Sequence, residues 1–158
     1  MHCKWLIIDG YNLMFQDNAL GAARSISLEN CRDLLLEKVA GTGPLLADRV
    51  TVVFDGKASG RHAESGSGSG IEVLYSPRCH TADTIIERIA HSAVQPATVC
   101  VVTSDRLQQL TVMAAGAQTM SCAEFLSHLQ DNKARSASRM KQQHLLPRGP
   151  RLGDFFPE

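Results

Sequence analysis

Three short apolar runs in this chain each lead into an aspartate. Trp5-Leu6-Ile7-Ile8 runs into Asp9, and Val50-Thr51-Val52-Val53-Phe54 runs into Asp55. Val99-Cys100-Val101-Val102-Thr103 reaches Asp105 one residue later, after Ser104. β-branched runs without polar alternation read as strands buried on both faces, the pattern of a parallel sheet. In an open parallel sheet, ligands gather at the carboxyl ends of the strands. Asp83 and Glu87 add two more acids, at the start of a predicted helix. Carboxylates delivered to one edge repel each other unless a cation neutralises them. Hard divalent ions such as magnesium bind carboxylate oxygens and suit that arrangement.

The order of elements supports the same architecture. Strand signals fall at about 4–9, 50–54, 71–75, 98–103 and 117–120. A helix is expected over 28–40, capped by Ser27, with Leu28, Cys31, Leu35 and Val39 as its apolar stripe. Gly41-Thr42-Gly43-Pro44 is expected to break it. Thr81 can cap a helix over 82–94, and Ser104 or Asp105 one that ends near 114. Ser121-Cys122-Ala123-Glu124 has the form of a capping box opening a last helix. Residues 10–27 read as a long connection, and 56–70, rich in Gly and Ser, as a flexible surface loop. Strands alternating with helices predict a three-layer α/β fold, a mainly parallel sheet of about five strands with helices on both faces.

At 158 residues the chain suits one ordinary domain. No apolar run approaches the roughly 20 residues of a membrane span. Met1-His2-Cys3-Lys4 leads straight into the first strand, so no secretory or transit segment is expected there. The five cysteines are odd in number and contain no CxxC pair, which argues against zinc clusters and disulfide frameworks. A reducing cytoplasmic setting is expected, with a plastid stroma left open. The net charge of zero hides an asymmetry. Residues 1–130 hold ten Lys/Arg against thirteen Asp/Glu, whereas 131–158 hold six against three. We therefore divide the chain into an acidic body, 1–130, and a basic C-terminal helix or tail, 131–158. An acidic cleft beside a basic extension suggests a phosphate polymer held by the extension and cut at a metal site. A merely solubilising tail explains the charge equally well.

Each candidate residue also has a plainer explanation. Asp9-Gly10-Tyr11-Asn12 and Asp55-Gly56 could be simple turns, in the first case with Asn12 bonding nearby backbone. Asp83 and Glu87 are four residues apart, so on a helix they differ by about 40° and share one flank of the buried stripe. Thr103, Ser104 and the following amides could hold a phosphate, or serve only to cap a helix. The joint placement of these groups at strand ends and helix starts is the stronger signal.

Four segments together resemble a known family. Leu6-Ile7-Ile8-Asp9-Gly10-Tyr11-Asn12-Leu13, Val52-Val53-Phe54-Asp55-Gly56, Thr81-Ala82-Asp83-Thr84-Ile85-Ile86-Glu87-Arg88 and Val101-Val102-Thr103-Ser104-Asp105-Arg106 occur in the order found in NYN-domain proteins of the YacP-like group, within the PIN-like nuclease superfamily. The resemblance covers about residues 4–130. It implies a parallel sheet with helices on both faces and a metal-dependent endoribonuclease. Carried over by position, Asp9, Asp83 and Asp105 match the metal-binding acids, Asn12 and Asp55 the polar positions beside them, and Glu87 the acid of the helix motif. The Gly- and Ser-rich stretch at 56–70 departs from the group, and the basic tail lies outside the motif set.

The expected function is hydrolysis of an RNA phosphodiester with magnesium or manganese (Mg2+ or Mn2+). Asp9, Asp83 and Asp105 would be ligands, and Asp55 and Glu87 would bind a second ion or orient water. Thr103, Ser104 and Arg106 would contact substrate. Arg135, Arg139 and Lys141, taken to share one face of an extended last helix, would bind the backbone. Messenger RNA and ribosome-associated RNA are the substrate classes left open. The alternative is a non-catalytic RNA- or ribosome-binding module that keeps the acids. A signalling receiver domain would need a second acid after the first strand and a Lys after the fifth, and Gly10-Tyr11 and Met120-Ser121 supply neither. A phosphatase built on DxD fails at Tyr11 for the same reason.

Overall fold

A computed structural model describes residues 2–56, 65–68 and 70–145. Its centre is a six-stranded sheet in the order β3-β4-β2-β1-β5-β6. The parallel strands are β1 (Cys3–Asp9), β2 (Ala47–Phe54), β4 (Ile71–Tyr75), β5 (Val99–Val102) and β6 (Gln118–Met120). β3 (Ser65–Gly68) runs antiparallel to β4 at the edge. The helices are α1 (Gly10–Gln16), α2 (Gly21–Ile26), α3 (Leu28–Leu46), α4 (Ala82–Ser92), α5 (Arg106–Ala114) and α6 (Cys122–Leu145). None is long and apolar enough to cross a membrane among the described residues.

The unbroken apolar runs have a direct structural cause. Successive side chains of a strand point to opposite faces. Leu6 and Ile8 of β1 join one core with Val50, Val52, Leu35, Val39 and Phe125. Ile7 joins the other, with Val53, Val101, Ile86, Ala90 and Val112. Helices α1, α2, α3 and α6 cover the first face, and α4 and α5 the second. The central positions of β1, β2 and β5 therefore need apolar side chains. The three layers and the mainly parallel sheet agree with the sequence expectation.

Several details differ from it. The stretch 10–27 carries α1, a 3-10 turn (Asn18–Leu20) and α2. Helix α3 continues through Pro44 to Leu46. Tertiary contacts outweigh the local breakers here. Gly43 packs where a Cβ would lie 3.1 Å from Val50, and Asn132 Nδ2 donates to Gly41 O (3.0 Å) and to Thr42 Oγ1 (3.1 Å). Part of the expected Gly/Ser loop, residues 65–68, is the edge strand β3; 57–64 and 69 lie outside the described residues. Helix α6 is continuous across residue 130.

The topology fixes where a site can form. From β1 the chain moves outward to β2 and β4, then crosses back through α4 to β5 on the other side of β1. The sheet's order reverses between β1 and β5, and such a switch point leaves a crevice beyond the strands' carboxyl ends. Asp9 ends β1 at that crevice, in register with Val53 of β2, while Ile8 pairs with Val102 of β5.

Gly10 sets how closely α1 approaches this edge. A Cβ built there would lie 2.4 Å from the Phe54 ring. Gly10→Ala is therefore expected to destabilise the protein by about 1–3 kcal/mol, as overpacked cores do. Gly41, where a Cβ meets nothing within 4 Å, is the control: Gly41→Ala is expected to stabilise by about 0.5–1 kcal/mol. Urea melts of both variants beside the parent chain check the pair. Equal effects would remove the steric account of Gly10.

Candidate active site

Four acids meet in one pocket. Asp9, Asp55, Asp83 and Asp105 line a cavity of about 310 Å³ together with Tyr11, Asn12, Phe15, Thr81 and Ala82. Each acid arrives on a different element. Asp9 ends β1 and caps α1, its Oδ1 accepting from the Asn12 amide at 3.4 Å. Asp55 follows β2. Asp83 lies in the first turn of α4, which Thr81 caps by accepting from the Thr84 amide. Asp105 caps α5, its Oδ1 accepting from the amides of Leu107 (2.9 Å) and Gln108 (3.2 Å). Helix amino ends carry partial positive charge and stabilise such acids.

The electrostatics are those of crowded negative charge. Burial, and then the nearby Asp83 and Asp105 carboxylates, push the Asp9 carboxyl up to about 7. Asp83 is also raised, first by burial and then by Asp105. Asp9 and Asp83 are close enough for each carboxyl to act on the other's ionisation, and both are held above the ordinary carboxylate range. No basic side chain is among the described residues lining the pocket. The donor set, carboxylates alone in a half-open polar cavity, fits a hard divalent cation. Among the described residues no three acids converge on one point as a finished coordination shell would. Asp9 and Asp83 close on each other, and Asp105 is turned to the α5 amides.

The surrounding residues divide into those that brace the acids and those that stand apart. Asn12 Oδ1 accepts from the Ser104 amide (2.8 Å) and the Cys122 thiol (3.1 Å). It thus ties α1 to the β5–α5 turn and to the start of α6, rather than bonding its own turn. Ser104 Oγ accepts from the Cys122 amide at 3.1 Å, so its hydroxyl faces α6. Thr103 is fully buried and its Oγ1 accepts from the Asp105 amide at 3.1 Å. A phosphate contact expected of Thr103 is corrected on that ground: it supports Asp105 from behind. Arg106 is exposed and outside the pocket lining. Glu87, one turn along α4, is half-buried and also outside the lining. Arg135, Arg139 and Lys141 are exposed on the outer part of α6. At about 100° per residue Arg135 and Arg139 share a face, but Lys141 lies about 160° from Arg139, so the expected common face for all three is corrected. Measured along the helix from Cys122, these side chains stand roughly 20–28 Å away.

Gln108 is the residue the sequence reading missed. It is buried, and its Nε2 donates to Asp83 Oδ1 at 2.9 Å. Its Oε1 is buried with no hydrogen-bond partner among the described residues. Three positions after Asp105, it reads locally as the return partner of a capping box. Only the tertiary fold, bringing α5 against α4, turns it toward Asp83.

Known proteins place this geometry in context. The Bacillus subtilis (strain 168) protein YacP is 30% identical over 138 residues, covering 87% of this chain and 81% of its own. Two crystal structures of Rae1 (YacP) from Bacillus subtilis superpose on it. One, a single-substitution variant, has a TM-score of 0.77 and 28% identity over 92% of this chain and 86% of its own. The other has a TM-score of 0.73 and 30% identity over 88% of this chain and 80% of its own. A family model described as the YacP-like NYN domain matches residues 6–154, which takes in the sheet from Leu6 onward, all four pocket acids and α6. The chain belongs to the YacP-like NYN domain family and has its nuclease-like fold.

Proposed function

We propose that this protein is a divalent-metal-dependent endoribonuclease that hydrolyses RNA phosphodiester bonds. The observation that carries the reading is the pocket of four acids at the switch point, where burial and neighbouring carboxylates hold both Asp9 and Asp83 above the ordinary carboxylate range. A polyanionic substrate meets that pocket only if its charge is offset. Asp9, Asp83 and Asp105 would hold magnesium or manganese, with Asp55 beside them. Such an ion lowers the pKa of water and offsets charge developing on the phosphate. Gln108 keeps Asp83 turned toward Asp9, and Asn12 keeps the β5–α5 turn against α1. The exposed bases of α6 would hold backbone phosphates without reading sequence. Messenger RNA and ribosome-associated RNA are both substrate classes open to such an activity.

Incubation of the purified chain with structured and unstructured RNAs, in magnesium, manganese or chelator, followed by mapping of the ends, tests the reading. Internal cuts that need the metal support it. Binding without cuts under every condition would leave an RNA- or ribosome-binding module instead.

The Asp9 carboxyl gives a pH signature. It titrates near 3.8 unfolded and near 7 folded, so between those values the folded state holds more protons. Stability therefore falls as pH rises through that window and levels off above it. Asp9→Asn cannot ionise and escapes the fall. It is expected to match the parent chain below about pH 4 and to exceed it by about 2–4 kcal/mol at pH 8. Magnesium at pH 8 should raise the melting temperature of the parent chain more than that of the variant, and chelator should reverse the gain. Cleavage by Asp9→Asn should be lost. An unchanged pH profile of stability would show that Asp9 is not the strained acid.

Asp83→Asn should cost more activity than Glu87→Gln, because Asp83 lies in the pocket and Glu87 does not. Initial rates at saturating metal compare them, and equal losses would bring Glu87 into the chemistry.

Removing residues 133–158 keeps the Asn132 bonds to α3 and should leave the melting temperature unchanged. The shortened chain neutralises fewer phosphates, and the log–log salt dependence of RNA binding should flatten by about 0.7 for each of them. A normal melt with an unchanged slope would make the extension a solubilising one.

A further inference from the structure

The pocket lip carries an aromatic side chain that the fold does not use. Phe15 is 58% exposed, although it lines the same cavity as the four acids. The buried side of α1 is made by Gly10, Tyr11, Leu13 and Met14, and Phe15 falls outside it. A solvent-facing phenyl ring beside a cluster of carboxylates has no packing reason to be there.

The ring is nevertheless held in place. It lies stacked against Tyr11, with ring centroids 6.2 Å apart and planes inclined by 27°. Tyr11 in turn meets the buried Phe54 edge-on at 5.1 Å, and its hydroxyl accepts from Arg32 Nη1 at 3.0 Å. The row Phe15–Tyr11–Phe54 therefore runs from the lip into the core. On its outer side the Arg24 guanidinium lies 5.4 Å from the Phe15 centroid, and its Nη1 donates to the Phe15 carbonyl at 3.3 Å. Arg24 adds positive charge at the rim of a pocket that has none among its described lining residues.

An anchored aromatic ring paired with a guanidinium, opening onto a site for phosphate chemistry, has the composition of a base-stacking shelf. Unpaired bases stack on aromatic faces and on guanidinium planes, and every base offers a π-face, so the contact tolerates any sequence. We infer that Phe15, flanked by Arg24, seats an unpaired base of the RNA strand next to the bond to be cut. The inference rests on the endoribonuclease reading and sharpens its substrate class: the strand must be single at the cleavage point. A base held in a duplex cannot reach the ring without unstacking, which costs a few kcal/mol per step. Arg24 neutralises the adjoining phosphate, a task the acids cannot share.

The test uses the full chain, a short single-stranded oligoribonucleotide carrying a fluorescent adenine analogue, and the same sequence as a duplex. With magnesium, the parent chain should quench the analogue, cut the single strand and cut the duplex poorly. Phe15→Ala should lose the quench and raise KM by about tenfold, the loss expected of one stacked base, with kcat little changed. Phe15→Trp should restore both quench and KM, which a merely structural residue would not require. Arg24→Ala should weaken binding most at low salt. Thermal melts of each variant confirm that the exposed site has been changed without loss of fold. If the parent chain cuts RNA but Phe15→Ala binds and quenches as it does, the shelf is overturned and the nuclease reading stands. Equal cutting of duplex and single strand would also overturn it. If the parent chain neither cuts nor binds either RNA with metal, both fall together.

Discussion

The approach of the Asp9 and Asp83 carboxyls to each other is the point on which the site turns. It joins the end of the central strand to the first turn of a helix that crosses the opposite face of the sheet. Two carboxyls brought together in a partly dry place favour their protonated forms, because two full negative charges repel each other there. The rest of the structure delivers the two acids to each other. β1 is buried on both faces, so its last residue is carried deep into the molecule. Gly10 lets α1 turn away directly over Phe54. Gln108 fixes Asp83 from the side. A cluster of this kind opposes folding and is retained by the packing beneath it.

Much of this was legible in the sequence, for identifiable reasons. The strands read correctly because burial on both faces leaves no room for polar alternation, as Leu6, Ile7 and Ile8 show. The caps read correctly because helix ends need side-chain acceptors whatever surrounds them. Ser27 accepts from Asn30, Thr81 from Thr84, and Ser121 exchanges bonds with Glu124. The acids read as a group because three of them close strands that a parallel sheet must align. What failed was whatever depends on distant partners. The helix through Pro44 needs Val50 and Asn132, far along the chain. The edge strand β3 is Gly and Ser throughout, so it carries no apolar pattern and is defined by pairing with β4. Gln108 resembles a capping residue until α4 is laid beside it, and Thr103 resembles a phosphate ligand until its burial is known.

Helix α6 shows how one element serves two purposes. Its first turns belong to the core: Cys122 and Phe125 are fully buried, and Leu126 and Leu129 pack against that core. Asn132 makes the last described hydrogen bonds to the body. From Lys133 to Gln142 every residue is exposed. An isolated helix of that length is marginal in water, because nucleation is costly and little surface is buried. Here the nucleus is already made by the packed turns, so the outer turns extend it at the small cost of propagation. The bases on those turns are thereby held at a fixed distance from the pocket instead of trailing on a loose chain.

That distance has a consequence for how a strand would lie. The start of α6 is bonded to Asn12 and Ser104, at the pocket's edge. The bases begin at Lys133, roughly 16 Å further along the same axis. Charge placed at the far end of a rigid helix attracts phosphate without silencing the acids, and the Debye length of about 8 Å in physiological salt keeps the two regions electrostatically separate. The net charge of zero is thus the sum of two opposite imbalances, an acidic body over residues 1–130 and a basic stretch over 131–158.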